Sequence, residues 1–281
     1  MKKPKGILIA IGGAVDRGTG SDLENSEERS DKFLEAGILK RMLEEIPGIT
    51  NRIEVITTAS MIPEETGQHY VDAFALLQNE NIGVIHIKSR EDTLDKSYHK
   101  RLSEAEGVLF TGGNQLRLTT IFGGTNLLSL LLSRYQNEQF VVAGTSAGAM
   151  AMSTVMIYGG SSTEALLKGE VKQSRGFGFI QDVTFDSHFI KRGRFGRLCQ
   201  AIAKNPANVG IGLGEDTGLL IRDGDHMEAI GSGLVTIVEG SKITYTNIAE
   251  IKDGEPISIE NLTVHILSKG HNYILSERHL I

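Results

Sequence analysis

The chain has 281 residues, of which 40% are apolar and 23% charged, with a formal net charge of −6. A chain of this size and make-up buries roughly 75% of its unfolded surface and needs no covalent staple. The charge is spread without a basic face, which excludes nucleic-acid binding as the main task. A single cysteine, Cys199, excludes an intrachain disulfide.

The N-terminus "MKKPKGILIAIGG" has a basic start, but its apolar run of about seven residues stops at a glycine pair. That is too short for the core of a signal peptide. Residues 6–13 therefore read as a first strand. No stretch approaches the ~20 apolar residues of a membrane span. The expected setting is the cytoplasm, with no membrane and no nucleic-acid partner. Residues 16–30 are polar and irregular and read as a loop over the sheet. Residues 31–45 carry apolar spacings of three and four and predict a helix, ended by Pro47-Gly48. Residues 52–60 read as a strand. Residues 63–80 read as a helix with Pro63 at its start and acids in its first turn. Strands follow at 82–87 and 107–113, with a helix at 92–105 between them. "QLRLTTIF" and "TNLLSLLLSRYQN" are helical, and residues 139–144 form another strand. Such alternation predicts a mostly parallel sheet flanked by helices.

Cys199 lies in the helical pattern "GRLCQAIAKN" and is expected to be a buried, inert thiol. Beyond residue 205 the rhythm changes. "NVGIGLGED", "TGLLIRDGDHMEAIGSG" and "LVTIVEG" read as strands joined by turns, with "RDGD" as a hairpin signal. Residues 262–267 read as the last strand. The expected fold is thus α/β, one domain over 1–281, with antiparallel strands added at the C-terminal side.

Sites in open α/β sheets form at the carboxyl ends of parallel strands. Three such ends here carry glycine-rich turns: Gly12-Gly13, Gly112-Gly113 and the run from Gly144 to Gly148. The last holds Ser146 in a G-x-S-x-G pattern, which fits a nucleophile on a strained strand-to-helix elbow. A purely structural turn is the alternative reading. Ala147 N–H would be one oxyanion donor, and a second would come from "TGGNQ", where Gly113 brings its backbone close. A serine of ordinary pKa needs a base. Among eight histidines, none has metal-ligand spacing, and no metal or cofactor is expected. His86 and His265 sit in apparent strands and read as structural. His188 ends a strand-like run beside Arg192, Arg194 and Arg197, three cations that would repel one another without an anion to share. The acid that orients the base falls to Glu215 or Asp216, and spacing does not choose between them. The order Ser, His, acid differs from that of the α/β-hydrolases.

The segments "IGGAVDRG", "FTGGNQ", "GTSAGAM", "SHFIKRGRFGRL" and "GIGLGEDTGLLI", in that order, resemble the cyanophycinases. These lie in the serine-peptidase family that also holds the aspartyl dipeptidases. The resemblance implies a class I glutamine amidotransferase-like fold and a triad of Ser146, His188 and Glu215. It places Gly113, Asn114 and Ala147 at the oxyanion site, and Gln115, Ser187, Arg192, Arg194 and Arg197 around the substrate. It implies a homodimer acting on cyanophycin or another β-aspartyl peptide. Three positions depart from the family pattern: Ser187 where glutamine is usual, Asn114 in place of aspartate, and Gly214 in place of aspartate. The competing expectations are a dipeptidase of the same family, an α/β-hydrolase esterase, and a binding module that keeps the fold.

Overall fold

The computed structural model describes residues 3–18, 37–46, 48 and 50–281. Strand β1 (Ile7–Ile11) opens the chain, and α1 (Ile38–Glu44) follows. Then come β2 (Ile53–Ile56), α2 (Pro63–Leu76), β3 (Ile82–Ile85), a 3₁₀ turn (Glu91–Leu94), α3 (Lys96–Glu104) and β4 (Gly107–Phe110). Two helices, α4 (Gln115–Phe122) and α5 (Asn126–Asn137), lead into β5 (Val141–Thr145). After the short α6 (Ala147–Ala151) come β6 (Val155–Gly159), β7 (Lys172–Arg175), β8 (Val183–Asp186), α7 (Phe195–Lys204) and β9 (Val209–Leu213). The remainder is all strand: β10 (Thr217–Arg222), β11 (His226–Gly231), β12 (Val235–Glu239), β13 (Tyr245–Thr246), β14 (Ile259–Glu260), β15 (Thr263–Leu267), β16 (Asn272–Ile274) and β17 (His279–Leu280).

The main sheet has nine strands in the order β17-β16-β11-β10-β1-β5-β4-β2-β3. From β1 to β3 every pairing is parallel, and from β1 to β17 every pairing is antiparallel. This is the expected fold class. Side chains alternate across β1 as a strand requires. Ile9 and Ile11 face a layer built from Ile38, Leu39 and Met42 of α1 and Tyr70 and Phe74 of α2. Leu8 and Ala10 face a larger core that takes in α4, α5 and a second sheet. Burial on both faces explains why the parallel strands are continuously apolar.

The C-terminal strands differ from the expectation in one respect. They do not all extend the main sheet: β15, β12, β9 and β8 form a separate four-stranded sheet. Its parallel β8–β9 pair is joined through α7, and Gly210 lets Leu198 and Ile202 of that helix close onto β9. Nor is 262–267 the last strand, because β16 and β17 follow it. They pair through only three and two residues, too few for a periodicity to show. The "RDGD" signal holds: Asp223 (φ 59) and Gly224 (φ 66) are the left-handed central residues of a tight hairpin turn. Within the expected helix at 31–45, residues 31–36 lie outside the described residues, as do 19–30 of the expected loop.

The register sets the position of the site. Ile11 is level with Thr145, and Phe110 with Gly144. The three glycine turns after β1, β4 and β5 therefore meet at one edge of the sheet.

Candidate active site

At that edge β5 gives way to α6 through Ser146, whose backbone sits at φ 51, ψ −108. An L-residue in this region is strained by about 1–3 kcal/mol, and the surroundings must hold it there. Part of that hold is the Ser146 N–H, which donates to the carbonyls of both Ile11 (2.9 Å) and Gly12 (2.8 Å). The flanking glycines are steric necessities. A Cβ on Gly144 would lie 2.6 Å from the Gly148 carbonyl carbon, and one on Gly148 would overlap the Phe110 carbonyl.

β8 delivers His188 and β9 delivers Glu215 to the same point. Ser146 Oγ lies 2.9 Å from His188 Nε2, and His188 Nδ1 lies 2.8 Å from Glu215 Oε1. A carboxylate can only accept, so Nδ1 carries the proton toward Glu215. Nε2 is then left with a lone pair facing the serine hydroxyl. His188 also has a left-handed backbone (φ 51). The side chains of His188 and Glu215 are 17% and 27% exposed, so the line is sheltered but open to a ligand. Gly13 makes room for it, because a Cβ there would overlap the His188 ring and come 2.5 Å from Glu215 Oε2.

The structure separates the two acids that spacing leaves equivalent. Glu215 faces the histidine. Asp216 (φ 42) turns the other way and accepts from Asp16 N–H (3.1 Å) and Ser232 Oγ (2.7 Å). Its own N–H donates to the Gly13 carbonyl at 2.9 Å. Burial pushes the Asp216 carboxyl above its ordinary value, only partly offset by those hydrogen bonds. It thus ties the loop after β1 to the loop before β12, and by its main chain seats Glu215 against Gly13.

Gly112 and Gly113 lie beside the serine: a Cβ on Gly112 would be 3.4 Å from Ser146 Cβ. Gly113 has φ +139, and a side chain there would overlap the Ala59 carbonyl. Among the described residues the N–H groups of Gly113 and Ala147 make no hydrogen bond. Asn114 departs from its expected place in an oxyanion site. Its N–H donates to Ala59 O at 2.9 Å, and its side-chain oxygen caps α4 by accepting from Leu116 and Arg117 N–H. Its N–H and its side-chain oxygen are spent on local structure.

The remaining expected pocket residues divide. Arg194 and Arg197 have their shared anion inside the protein. Arg197 is 4% exposed and grips the fully buried Asp186 through Nε (2.8 Å) and Nη2. Arg194 Nη1 reaches Asp186 at 3.2 Å and the Ser187 carbonyl at 2.7 Å. Through these bonds the two arginines brace the turn carrying His188. Ser187 is also buried, with its hydroxyl on Met150 Sδ at 3.3 Å. The Gln115 side-chain amide donates to the Ile157 carbonyl at 3.1 Å. Arg192 is exposed, and its guanidinium has no partner among the described residues. Sequence reasoning missed Asp186, although "TFDSH" places it two residues before the histidine, and it read Gly13 only as a turn residue. His86 and His265 are bonded locally, to Thr57 Oγ1 (2.7 Å) and Glu239 Oε1 (2.8 Å). No cluster of metal-ligating side chains is found among the described residues, and no helix there is long and apolar enough to cross a membrane.

Comparison with known proteins gives a consistent result. The model of peptidase family S51 matches residues 25–229. The cyanophycinase of Geminocystis herdmanii is 33% identical over 266 residues, covering 95% of this chain and 92% of that protein. The cyanophycinase of Nostoc sp. is 34% identical over 274 residues, covering 98% and 87%. The crystal structure of a peptidase from an acI-B1 Actinobacterium superposes with a TM-score of 0.67 at 22% identity, over 98% of each chain, a likeness of fold.

Proposed function

From the premise that this chain belongs to peptidase family S51 and is a serine-type peptidase, we propose that it hydrolyses cyanophycin, releasing β-Asp-Arg dipeptides. Cyanophycin is a poly-aspartate chain with arginine on its β-carboxyls. The reading is supported by full-length similarity to cyanophycinases. The observation that carries the chemistry is the unbroken line from Ser146 through His188 to Glu215 at the sheet edge.

In this reading Ser146 Oγ attacks the scissile carbonyl carbon as His188 Nε2 takes the hydroxyl proton. Glu215 stabilises the imidazolium and keeps its ring in register. The Gly113 and Ala147 N–H groups stabilise the developing oxyanion, each worth roughly 2.7–4 kcal/mol. The C–N bond then breaks, and His188 returns its proton to the leaving amine. Water, deprotonated by the same histidine, attacks the acyl-enzyme and frees the acid and Ser146. Arg192 is the cation available to read a substrate carboxylate, through a bidentate pair that lysine could not make. The resemblance also implies a homodimer.

The test is mass spectrometry of the products formed from purified cyanophycin. Appearance of β-Asp-Arg is the expected result. An intact polymer, together with cleavage of short β-aspartyl peptides, would transfer the reading to a dipeptidase.

A further inference from the structure

A second set of hydrogen bonds joins the residues that flank Ser146 and Glu215. It centres on Gly12, just past β1, the strand that runs between β5 and β10. The Gly12 carbonyl has two lone pairs, and the end of β5 takes both. Ser146 N–H donates to it at 2.8 Å and Thr145 Oγ1 at 3.1 Å. On the other side the Gly12 N–H donates to the Thr217 carbonyl at 2.7 Å. Thr217 Oγ1 in turn donates to the Glu215 carbonyl at 2.7 Å. An unbroken path thus runs from the residue before the serine, through one glycine, to the main chain of the acid. Its main-chain links continue the β1–β5 and β1–β10 ladders. The two threonine hydroxyls are additions that no ladder supplies.

Glycines keep the path clear. A Cβ on Gly12 would overlap the Gly214 carbonyl, and one on Gly233 would overlap Thr217 Oγ1 and come 2.8 Å from the Glu215 carbonyl oxygen. Thr145 is 5% exposed and Thr217 fully buried, so neither hydroxyl has solvent to turn to. Valine at either position would meet the strand's demand for a β-branched residue without burying a polar group. What the hydroxyls add is restraint at two strained points. Thr145 precedes Ser146 (φ 51), and Thr217 follows Asp216 (φ 42).

We propose that Thr145 and Thr217 are positioning residues. Through Gly12 they hold the Ser146 elbow and the Glu215 turn in one frame, and so set the reach from Ser146 Oγ to His188 Nε2. The inference rests on Ser146 being the nucleophile and not on any particular substrate.

The test is the rate at which a fluorophosphonate labels Ser146. Intact mass is followed over a range of probe concentrations that separates the maximal rate from the half-saturating concentration. Thr145→Val and Thr217→Val are compared with Thr145→Ser and Thr217→Ser. Loss of either hydroxyl should lower the maximal rate about tenfold to a hundredfold and leave the half-saturating concentration unchanged, because a misplacement of ~1 Å costs up to about 10². Each serine variant keeps the donor and should stay within about threefold of the parent. Packing alone predicts the reverse order, since valine keeps the methyl that serine lacks. Circular dichroism checks the fold, and where a valine is not accommodated the alanine and serine variants make the same comparison with the methyl absent from both. Labelling at the parent's rate by either valine variant would overturn the proposal, as would serine variants as slow as the valine ones. A parent that takes no label at Ser146 would instead remove Ser146 as the nucleophile, and this inference with it.

Discussion

Ser146, His188 and Asp216 all hold left-handed backbones without being glycine. Such strain marks positions where the fold spends stability on the placement of a side chain. The Ser146→Ala variant should lose turnover on the order of 10⁶-fold. Glu215→Gln should keep the geometry and still lose on the order of 10⁴-fold, because an amide does not hold the imidazole in the same tautomer or stabilise its cation. Gly13→Ala forces its methyl into the His188 ring, so kcat should fall by about 10² or more while the circular dichroism spectrum is retained. Asp216 makes a pH prediction. Its carboxyl pKa is raised by burial, so the folded state holds the proton more tightly than the unfolded chain. Between the unfolded value and the raised folded one, stability therefore falls as pH rises. Asp216→Asn keeps the acceptor for Asp16 N–H and removes the titration, so the stability–pH slope in that acidic window should flatten. An unchanged slope in denaturant titrations would place its origin on another group. The serine, the histidine and the pair of acids were legible in the sequence, because glycine spacing and strand ends mark them. The choice of Glu215 over Asp216 came from the family resemblance alone and not from spacing. It depends on which side of one turn each side chain leaves, and a bridge to Gly13, some two hundred positions away, decides that.

At the scale of the element, β8, α7 and β9 act as one βαβ unit that carries His188 and Glu215 to Ser146. Its brace is Asp186 with Arg194 and Arg197. The arginine cluster in "KRGRFGR" was legible as a charge run, but its function was not, because its anion is buried in the preceding strand. Removing Asp186 would leave two cations partly or wholly buried without their anion. Asp186→Ala should cost about 3–5 kcal/mol in chemical denaturation, whereas Arg192→Ala should leave stability unchanged and raise KM. The opposite pattern would restore Arg194 and Arg197 to the substrate. On α7, burial pushes the Cys199 thiol up to about 12, so a thiol reagent at pH 8 should label the unfolded chain and leave the native one unmodified.

At the scale of the molecule, the nine-stranded and four-stranded sheets share one core. Leu8 of β1 and Ile237 of β12 belong to one continuous apolar cluster, which supports unfolding as a single unit. One calorimetric transition is expected, and two resolved transitions would divide the chain. The parallel half was legible because its strands alternate with helices of clear period. The second sheet was not, since strands buried by either sheet have the same pattern and only long-range pairing distinguishes them. The account as a whole depends on Ser146 being the activated nucleophile. The most direct measurement is the intact mass after treatment with a fluorophosphonate, for the parent, Ser146→Ala and His188→Ala. A single adduct on the parent, mapped to Ser146 and lost or greatly slowed in both variants, is the predicted result. Labelling of Ser146→Ala at the parent's rate, or an adduct mapped to another residue, would contradict it.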